Sequence, residues 1–334
     1  MASTSGGGEK LLTNPPGDSI SKCLFASNSN NLLVSSWDKT VRLYDVSSDV
    51  EKVKYEHKAA VLDCAFSEDC STAFSGGLDR ELLMVDLETS STTVLGSHKS
   101  AIRCIEHSER AKMVFSGSWD STLDMWDPRA HNALAGSQDL QGKVYAMCLS
   151  EWRLVVGTSG RHVYIYDIRN MNEPEQTRES SLKQQTRCIR SHPDGSGYIL
   201  SSIEGRVAVE YFDPAREVQD KKYAFKCHRS MDINTGVQTV FPVNAIAFHP
   251  TYHTFATGGC DGVINIWDGN LKKRICQFPA YRMGISAMDF NYDGSLLAVA
   301  VSYTWELGPV DHDRDHIFIR TVRSFEVQPK TKRR

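Results

Sequence analysis

From residue 198 to 214 the chain reads YILSSIEGRVAVEYFDP, with apolar and polar positions alternating like two short strands around a turn. The same layout recurs as SSWDKTVRLYD over 35–45, GGLDRELLMVD over 76–86 and GSWDSTLDMWD over 117–127, which align without gaps. Asp38, Asp79 and Asp120 fall 41 residues apart, as do Asp45, Asp86 and Asp127, and His57 and His98 keep that step. Weaker copies end at Asp167 (VGTSGRHVYIYD) and Asp268 (ATGGCDGVINIWD), and residues 198–214 are another. The last, LAVAVSYTWEL…DHIFIRTV, is split by an acidic loop.

A step near 40 residues with a Trp-Asp ending is the signature of a WD40 blade of four strands. Seven copies suffice to close a β-propeller, which removes exposed sheet edges. The expected fold is therefore all-β, a single seven-bladed WD40 β-propeller over residues 11–323. ISKCLF (20–25) should open blade one, with the strand before it completing the last blade. Residues 1–10 read as a flexible lead, and 324–334 as a basic tail whose KTKRR is either an import signal or a solvated end. No second domain is left over.

Composition narrows the function. The 334 residues carry a formal net charge of −3, so nothing global points to nucleic acid and any basic site must be local. No apolar run approaches the ~18 residues a membrane helix needs, and the N-terminus lacks the apolar segment of a signal peptide. Nine cysteines without a secretory signal suggest a reducing compartment, and no C-x-x-C pair invites zinc.

Most residues with chemical potential have a structural reading. His57 with Ser75, Asp79 and the Val85 position, and His98 with Ser116, Asp120 and Trp126, match the buried hydrogen-bond network of such blades. Cys23, Cys64, Cys104 and Cys188 are expected at one position of the innermost strand, where other copies have Ala146, Ala245 and Ala287. DHDRDH (311–316) reads as a charged loop, and GGGEK lacks the spacing of a phosphate-binding loop. No nucleophile has a base beside it, so neither catalysis nor a cofactor nor a metal is expected.

Function must then come from a binding surface. The start of strand a and the turn between strands b and c share one face of each blade. The strand-a slot holds Lys22, Asp63, Arg103, Tyr145, Arg187, Asn244 and Ser286, and the slot before the b–c turn holds Trp37, Leu78, Trp119, Ile203 and Cys260. Trp37 and Trp119 stand at turn tips where polar residues are usual, the composition of a protein-binding hot spot. In blade five Arg187, Arg206 and Lys226 (placed in the loop toward blade six) converge on the same face. Ten Lys and Arg face seven Asp and Glu between Arg178 and Arg229, a local net of +3. Such cations suit a phosphate or a carboxylate.

LLVSSWDKTVRLYD, VLDCAF, GSWDSTLDMWDPR, QTRCIR, SSIEGRVAVEY and KKYAFKCHR resemble the mitotic-checkpoint WD40 protein of the budding-uninhibited-by-benzimidazole family, over about residues 11–320. The resemblance implies a kinetochore adaptor of the spindle assembly checkpoint, nuclear with some cytoplasmic protein, and monomeric when alone. It implies two kinds of partner: a short acidic motif of the checkpoint kinase and its pseudokinase or inhibitor relatives, and phosphothreonine in Met-Glu-Leu-Thr repeats of the kinetochore scaffold. Trp37, Trp119 and Arg187 match positions receiving the acidic motif, with Arg103 and Tyr145 beside them in the strand-a slot. Arg206 and Lys226 match those holding the phosphate. No membrane or direct nucleic-acid partner is implied. Two alternatives stay open: the paralogous messenger-RNA export WD40 factor of the nuclear pore, and a substrate receptor of a cullin ubiquitin ligase, for which MWDPR (125–129) and IYDIR (165–169) speak.

Overall fold

The computed structural model describes residues 8–330. Seven four-stranded antiparallel sheets follow one another around a ring. Their innermost strands, a, are Ile20–Phe25, Val61–Phe66, Ile102–Ser108, Val144–Ser150, Thr186–Ser191, Val243–Phe248 and Ile285–Phe290. The outermost strand of blade seven is Glu9–Leu11, which pairs with His316–Thr321 in the register Glu9↔Arg320 and Leu11↔Phe318. The two ends of the chain thus share one sheet and leave no gap in the ring. The propeller begins at Glu9, two residues before the expected boundary; residues 1–7 of the expected flexible lead lie outside the described residues.

The apolar alternation of each blade is used on both faces, because neighbouring sheets pack against each other. Between blades six and seven, Ile264, Ile266, Ile285, Leu297 and Val299 are completely buried. Polar groups between the blades are paired as buried groups must be. His98 Nε2 lies 2.7 Å from Ser116 Oγ, to which Trp126 Nε1 also donates at 2.7 Å. In blade two Val85 stands at the Trp position, and the Tyr55 hydroxyl donates to Ser75 instead, beside His57 Nε2 at 2.8 Å. Blade six contains a third network that the repeat reading missed. There His228 Nε2 and Trp267 Nε1 both lie 2.9 Å from Thr257 Oγ1, and Asp261 holds His228 Nδ1 at 2.8 Å.

Every strand a carries a β-bulge after its first residue. The unpaired residues are Ser21, Leu62, Arg103, Tyr145, Arg187, Asn244 and Ser286. This corrects the strand-a slot in two blades: Lys22 and Asp63 occupy the following position, with Cys104, Ala146, Cys188, Ala245 and Ala287. Cys23 and Cys64 move one place further and stand with Ile105 and Met147, packed between blades. Matching by residue type slipped the register by one, which in a strand changes the face a side chain meets.

Two more segments differ from expectation. A hairpin, Arg229–Met231 paired with Gln238–Val240, rises between blades five and six. The tail expected from 324 begins with a helical turn, Ser324–Val327, docked on blade six: Val327 is buried, and Thr254 Oγ1 donates to its carbonyl at 2.7 Å. Most of KTKRR, residues 331–334, lies outside the described residues. No described helix is long and apolar enough to cross a membrane.

Candidate functional site

The bulges decide what lines the mouth of the central channel. A bulge re-aims a side chain out of the ladder, and in three consecutive blades it presents Arg103, Tyr145 and Arg187 around a cavity of about 60 Å³. Arg187 Nε donates to Asn244 Oδ1 at 3.0 Å, and Asn244 is itself fixed through Nδ2 to the Ile285 carbonyl at 3.1 Å. Arg103 Nη1 reaches the Leu62 carbonyl at 3.4 Å. Burial, and then the neighbouring Arg103 guanidinium, pull the Arg187 pKa below its ordinary value. No described carboxylate forms an ion pair with either arginine, although Glu306 acts on Arg187 from further off, so an arriving carboxylate would meet two oriented cations with no ion-pair partner. Lys22 is different: it is spent inside the channel on Asp63, at 2.7 Å.

The turns around this mouth carry apolar side chains. Trp37 is 44% exposed and Leu78 37%, at the same turn of adjacent blades. The Trp37 turn is held from below: its N–H donates to Ser19 O at 2.9 Å, and Asp38 accepts from Gly17 N and Thr40 N at 2.9 Å while pairing with Arg42 at 2.9 Å. Trp119, expected to be exposed, is half-buried, yet its Nε1 is enclosed without a hydrogen-bond partner. The indole has a donor left over for a ligand. The long b–c loop of blade seven, which contains 311–315 of DHDRDH while His316 already opens strand c, adds exposed Trp305 to the same end of the channel.

Blade five supplies the second cationic group. Arg206 is the first residue of strand c (Arg206–Tyr211), and Lys226 is the last residue of strand d (Tyr223–Lys226). Lys226 is therefore in a strand and not in a loop, directly opposite Arg206 in the register. The rung continues inward through Ser202 to Thr186, the neighbour of Arg187. Adjacent strands are ~4.8 Å apart, so Arg206 stands about 10 Å outward from strand a along one rung. Gly205 makes the tight entry possible: its φ is +59°, and a Cβ there would come within 2.7 Å of the Cys227 carbonyl. Arg206 has only a loose ion pair with Glu204, at 3.6 Å, and its buried Nε has no hydrogen-bond partner. Lys226 is exposed. Arg229 turns away, donating to the Glu204 carbonyl and to Gln238.

Next to this corner the unanticipated hairpin exposes Met231, Ile233 and Val237, with Ile233 95% exposed. The DINTG turn between its strands was its legible signal. Charged residues inside the channel, Glu106, Arg190 and Asp289, were also missed, because they occupy a strand position that is apolar or small in the other blades.

Solved structures confirm the architecture. "Structure of U3-55K" superposes with a TM-score of 0.82 at 16% identity, covering 94% of this chain and 98% of that one. "Crystal structure of RRP9 WD40 repeats" gives 0.80 at 17%, covering 95% and 98%. The family profile "WD domain, G-beta repeat" matches residues 9–45 and 225–268, and that of "Nucleolar protein 10-like, N-terminal domain" matches 30–211. Fold and repeats together define a seven-bladed WD40 propeller, here with a cationic channel mouth. Over 96% of its length the chain is 52% identical to "Mitotic checkpoint protein BUB3.1" of Arabidopsis thaliana (95% of that protein), and over 94% it is 47% identical to "Mitotic checkpoint protein bub3" of Dictyostelium discoideum (94% of that protein). The chain belongs to the BUB3 family of mitotic checkpoint WD40 proteins. A more distant likeness, 37% over 89% of the chain and 85% of the relative, is to "mRNA export factor GLE2" of Chaetomium thermophilum.

Proposed function

We propose that this chain is a non-catalytic adaptor of the spindle assembly checkpoint that brings checkpoint kinases to kinetochores. An acidic motif of the kinase, or of its pseudokinase and inhibitor relatives, lies across the channel mouth. Arg187 and Arg103 receive its carboxylates, and Trp37, Trp119 and Tyr145 bury its apolar side chains. Phosphothreonine of a Met-Glu-Leu-Thr repeat in the scaffold is held by Arg206 and Lys226 at the outer end of the same rung. The adaptor works in the nucleus and at mitotic kinetochores, and is monomeric until it binds.

The observation that carries this reading is the direct opposition of Arg206 and Lys226 at the outer end of the rung that starts at Thr186, the neighbour of Arg187. Like charges facing each other across strands destabilise a sheet. A phosphate of about −1.5 to −2 charges removes that repulsion and takes hydrogen bonds from both.

The likeness to the export factor supports a second reading, in which the same mouth takes a nucleoporin motif at the nuclear pore. Affinity purification of the tagged chain from mitotic and interphase cells separates the two. Checkpoint kinases and scaffold in the mitotic sample support the checkpoint reading; nucleoporins alone would replace it.

A further inference from the structure

Between strands b and c of blade seven the chain runs from 302 to 315, where every other blade turns in three or four residues. Structureless connections of that length usually serve a function. The first leg of the loop is built around Tyr303, whose hydroxyl accepts from the Leu307 N–H at 3.0 Å and donates to the Gly308 carbonyl at 2.8 Å. The Tyr303 carbonyl accepts from Ser19 Oγ at 2.9 Å, and the Ser19 carbonyl holds the Trp37 turn. Loop and Trp37 thus share one anchor at the channel mouth.

This arrangement holds Trp305 at a φ of +63°, in the left-handed region that a bulky residue avoids, with 58% of its surface exposed. Backbone strain of this sort gathers at ligand clamps and switch segments. Leu307 and Val310 are exposed as well. The loop also carries four carboxylates, Glu306, Asp311, Asp313 and Asp315, against one arginine, Arg314. Carboxylates among large apolar side chains are the composition that the channel mouth is proposed to take from a partner.

Glu306 is joined to Arg187 by hydrogen bonds that all point one way. The Thr304 hydroxyl donates to Glu306, so it accepts from the Cys260 thiol, with Sγ and Oγ1 3.3 Å apart. Cys260 Sγ in turn accepts from Asn244 Nδ2 at 3.1 Å, and Asn244 Oδ1 accepts from Arg187 Nε at 3.0 Å. Burial, and then Glu306, push the thiol up to about 12, so it keeps the proton it donates. A cation at one end and a carboxylate at the other polarise such a chain and strengthen it. Glu306 thereby serves Arg187 as a counter-ion beyond ion-pair distance, while the neighbouring Arg103 guanidinium opposes the same charge.

We propose that this loop is a pseudo-ligand, which lies at the rim of the channel mouth in the free protein and competes with the acidic partner for Arg187. The inference rests on the reading that the mouth takes an acidic motif. A partner carboxylate arriving at Arg187 replaces the remote counter-ion with a direct one and repels Glu306. The Thr304 tether then releases, and relief of the strain at Trp305 favours the opening. Because its grip on Arg187 is indirect, the loop raises the threshold for binding without closing the site. Weakly acidic segments are turned away, and one that also covers Trp37 displaces the loop.

The test is anisotropy of a fluorescein-labelled peptide carrying the kinase's acidic motif, titrated with the full chain and its variants. Glu306→Gln can still accept from Thr304 but has lost its charge. It should bind the peptide about threefold to tenfold more tightly than wild type, the gain expected when about a third to a tenth of the free protein has the loop off the mouth. Thr304→Val, which cuts the tether, should tighten binding too. Asp313→Asn, in the outer leg of the loop and 3.5 Å from Arg282, should change it less than about twofold, since exposed charges further off are screened. Unchanged or weaker binding by Glu306→Gln overturns the pseudo-ligand and leaves the acidic-motif reading standing. So does equal tightening by Asp313→Asn, which would reduce the effect to general repulsion. A wild type that does not bind the peptide overturns both.

Discussion

Arg206 and Lys226 are direct cross-strand partners at one end of blade five, two cations facing each other where a sheet ordinarily places opposite charges or apolar pairs. The arrangement predicts a trade between stability and binding. Arg206→Ala or Lys226→Ala should leave the melting temperature unchanged or slightly raised, and differential scanning calorimetry of the two variants measures it. A fall of several degrees would mean that the pair is a structural element.

At the channel mouth, Trp37→Ala and Arg187→Glu should each abolish capture of an acidic-motif peptide while the fold survives. Trp37 stands on a turn fixed by Asp38 and not by its own indole, so truncation removes contact surface and not support. Loss of a hot-spot Trp is expected to weaken binding by about 2 kcal/mol or more. Calorimetry with a thermal-shift control reads both quantities. Unchanged affinity in both variants would move the acidic motif elsewhere.

The repeat made the ring legible because its period and its His, Ser and Asp positions are fixed by buried hydrogen bonds, which tolerate few substitutes. Blade six shows the limit of that reading. Its network uses Thr257 in place of serine, and His228 is separated from strand a of its blade by an inserted hairpin that the repeat spacing does not predict. The turn residues Trp37 and Trp119 and the cations of blade five could be seen in sequence because they break the expected polarity. The bulge could not: it is a backbone feature without a residue signature, and missing it put Lys22 and Asp63 in the wrong slot. Glu106, Arg190 and Asp289 were hidden for another reason, since their shared strand position is apolar or small in the other four blades and only the ring brings the three charges together in one channel.

Those networks make a stability prediction. Ser116→Ala leaves His98 Nε2 and Trp126 Nε1 without the hydroxyl they share, in a fully buried place. Thr257→Val does the same to His228 and Trp267 while keeping the shape. Each should cost about 2–4 kcal/mol in denaturant unfolding, the range for two orphaned polar groups. A change below about 0.5 kcal/mol would contradict the shared-hydroxyl role.

Glu106 should also reveal itself in the pH dependence of folding. Its folded pKa of about 7 lies above the ordinary value of 4.5, so the folded chain keeps a proton that the unfolded chain releases between those values. Stability from this group is therefore lost as pH rises through that window. Glu106→Gln should stabilise the protein at pH 8, by up to about 3 kcal/mol, and have little effect near pH 4. Equal effects at both values would show that the carboxyl is not enclosed in solution.

The measurement closest to the central claim is titration of a Met-Glu-Leu-phosphothreonine peptide, and its unphosphorylated twin, into wild type, Arg206→Ala, Lys226→Ala and the double variant at two salt concentrations. Each charge-assisted bond is worth roughly 1.5–3 kcal/mol, so either single variant should bind the phosphopeptide about tenfold or more weakly and the plain peptide nearly as wild type does. Salt should weaken the wild-type complex, because exposed charges are screened within about 10 Å at 0.1 M. Equal binding of the two peptides by wild type, or a double variant that binds the phosphopeptide normally, would contradict the account.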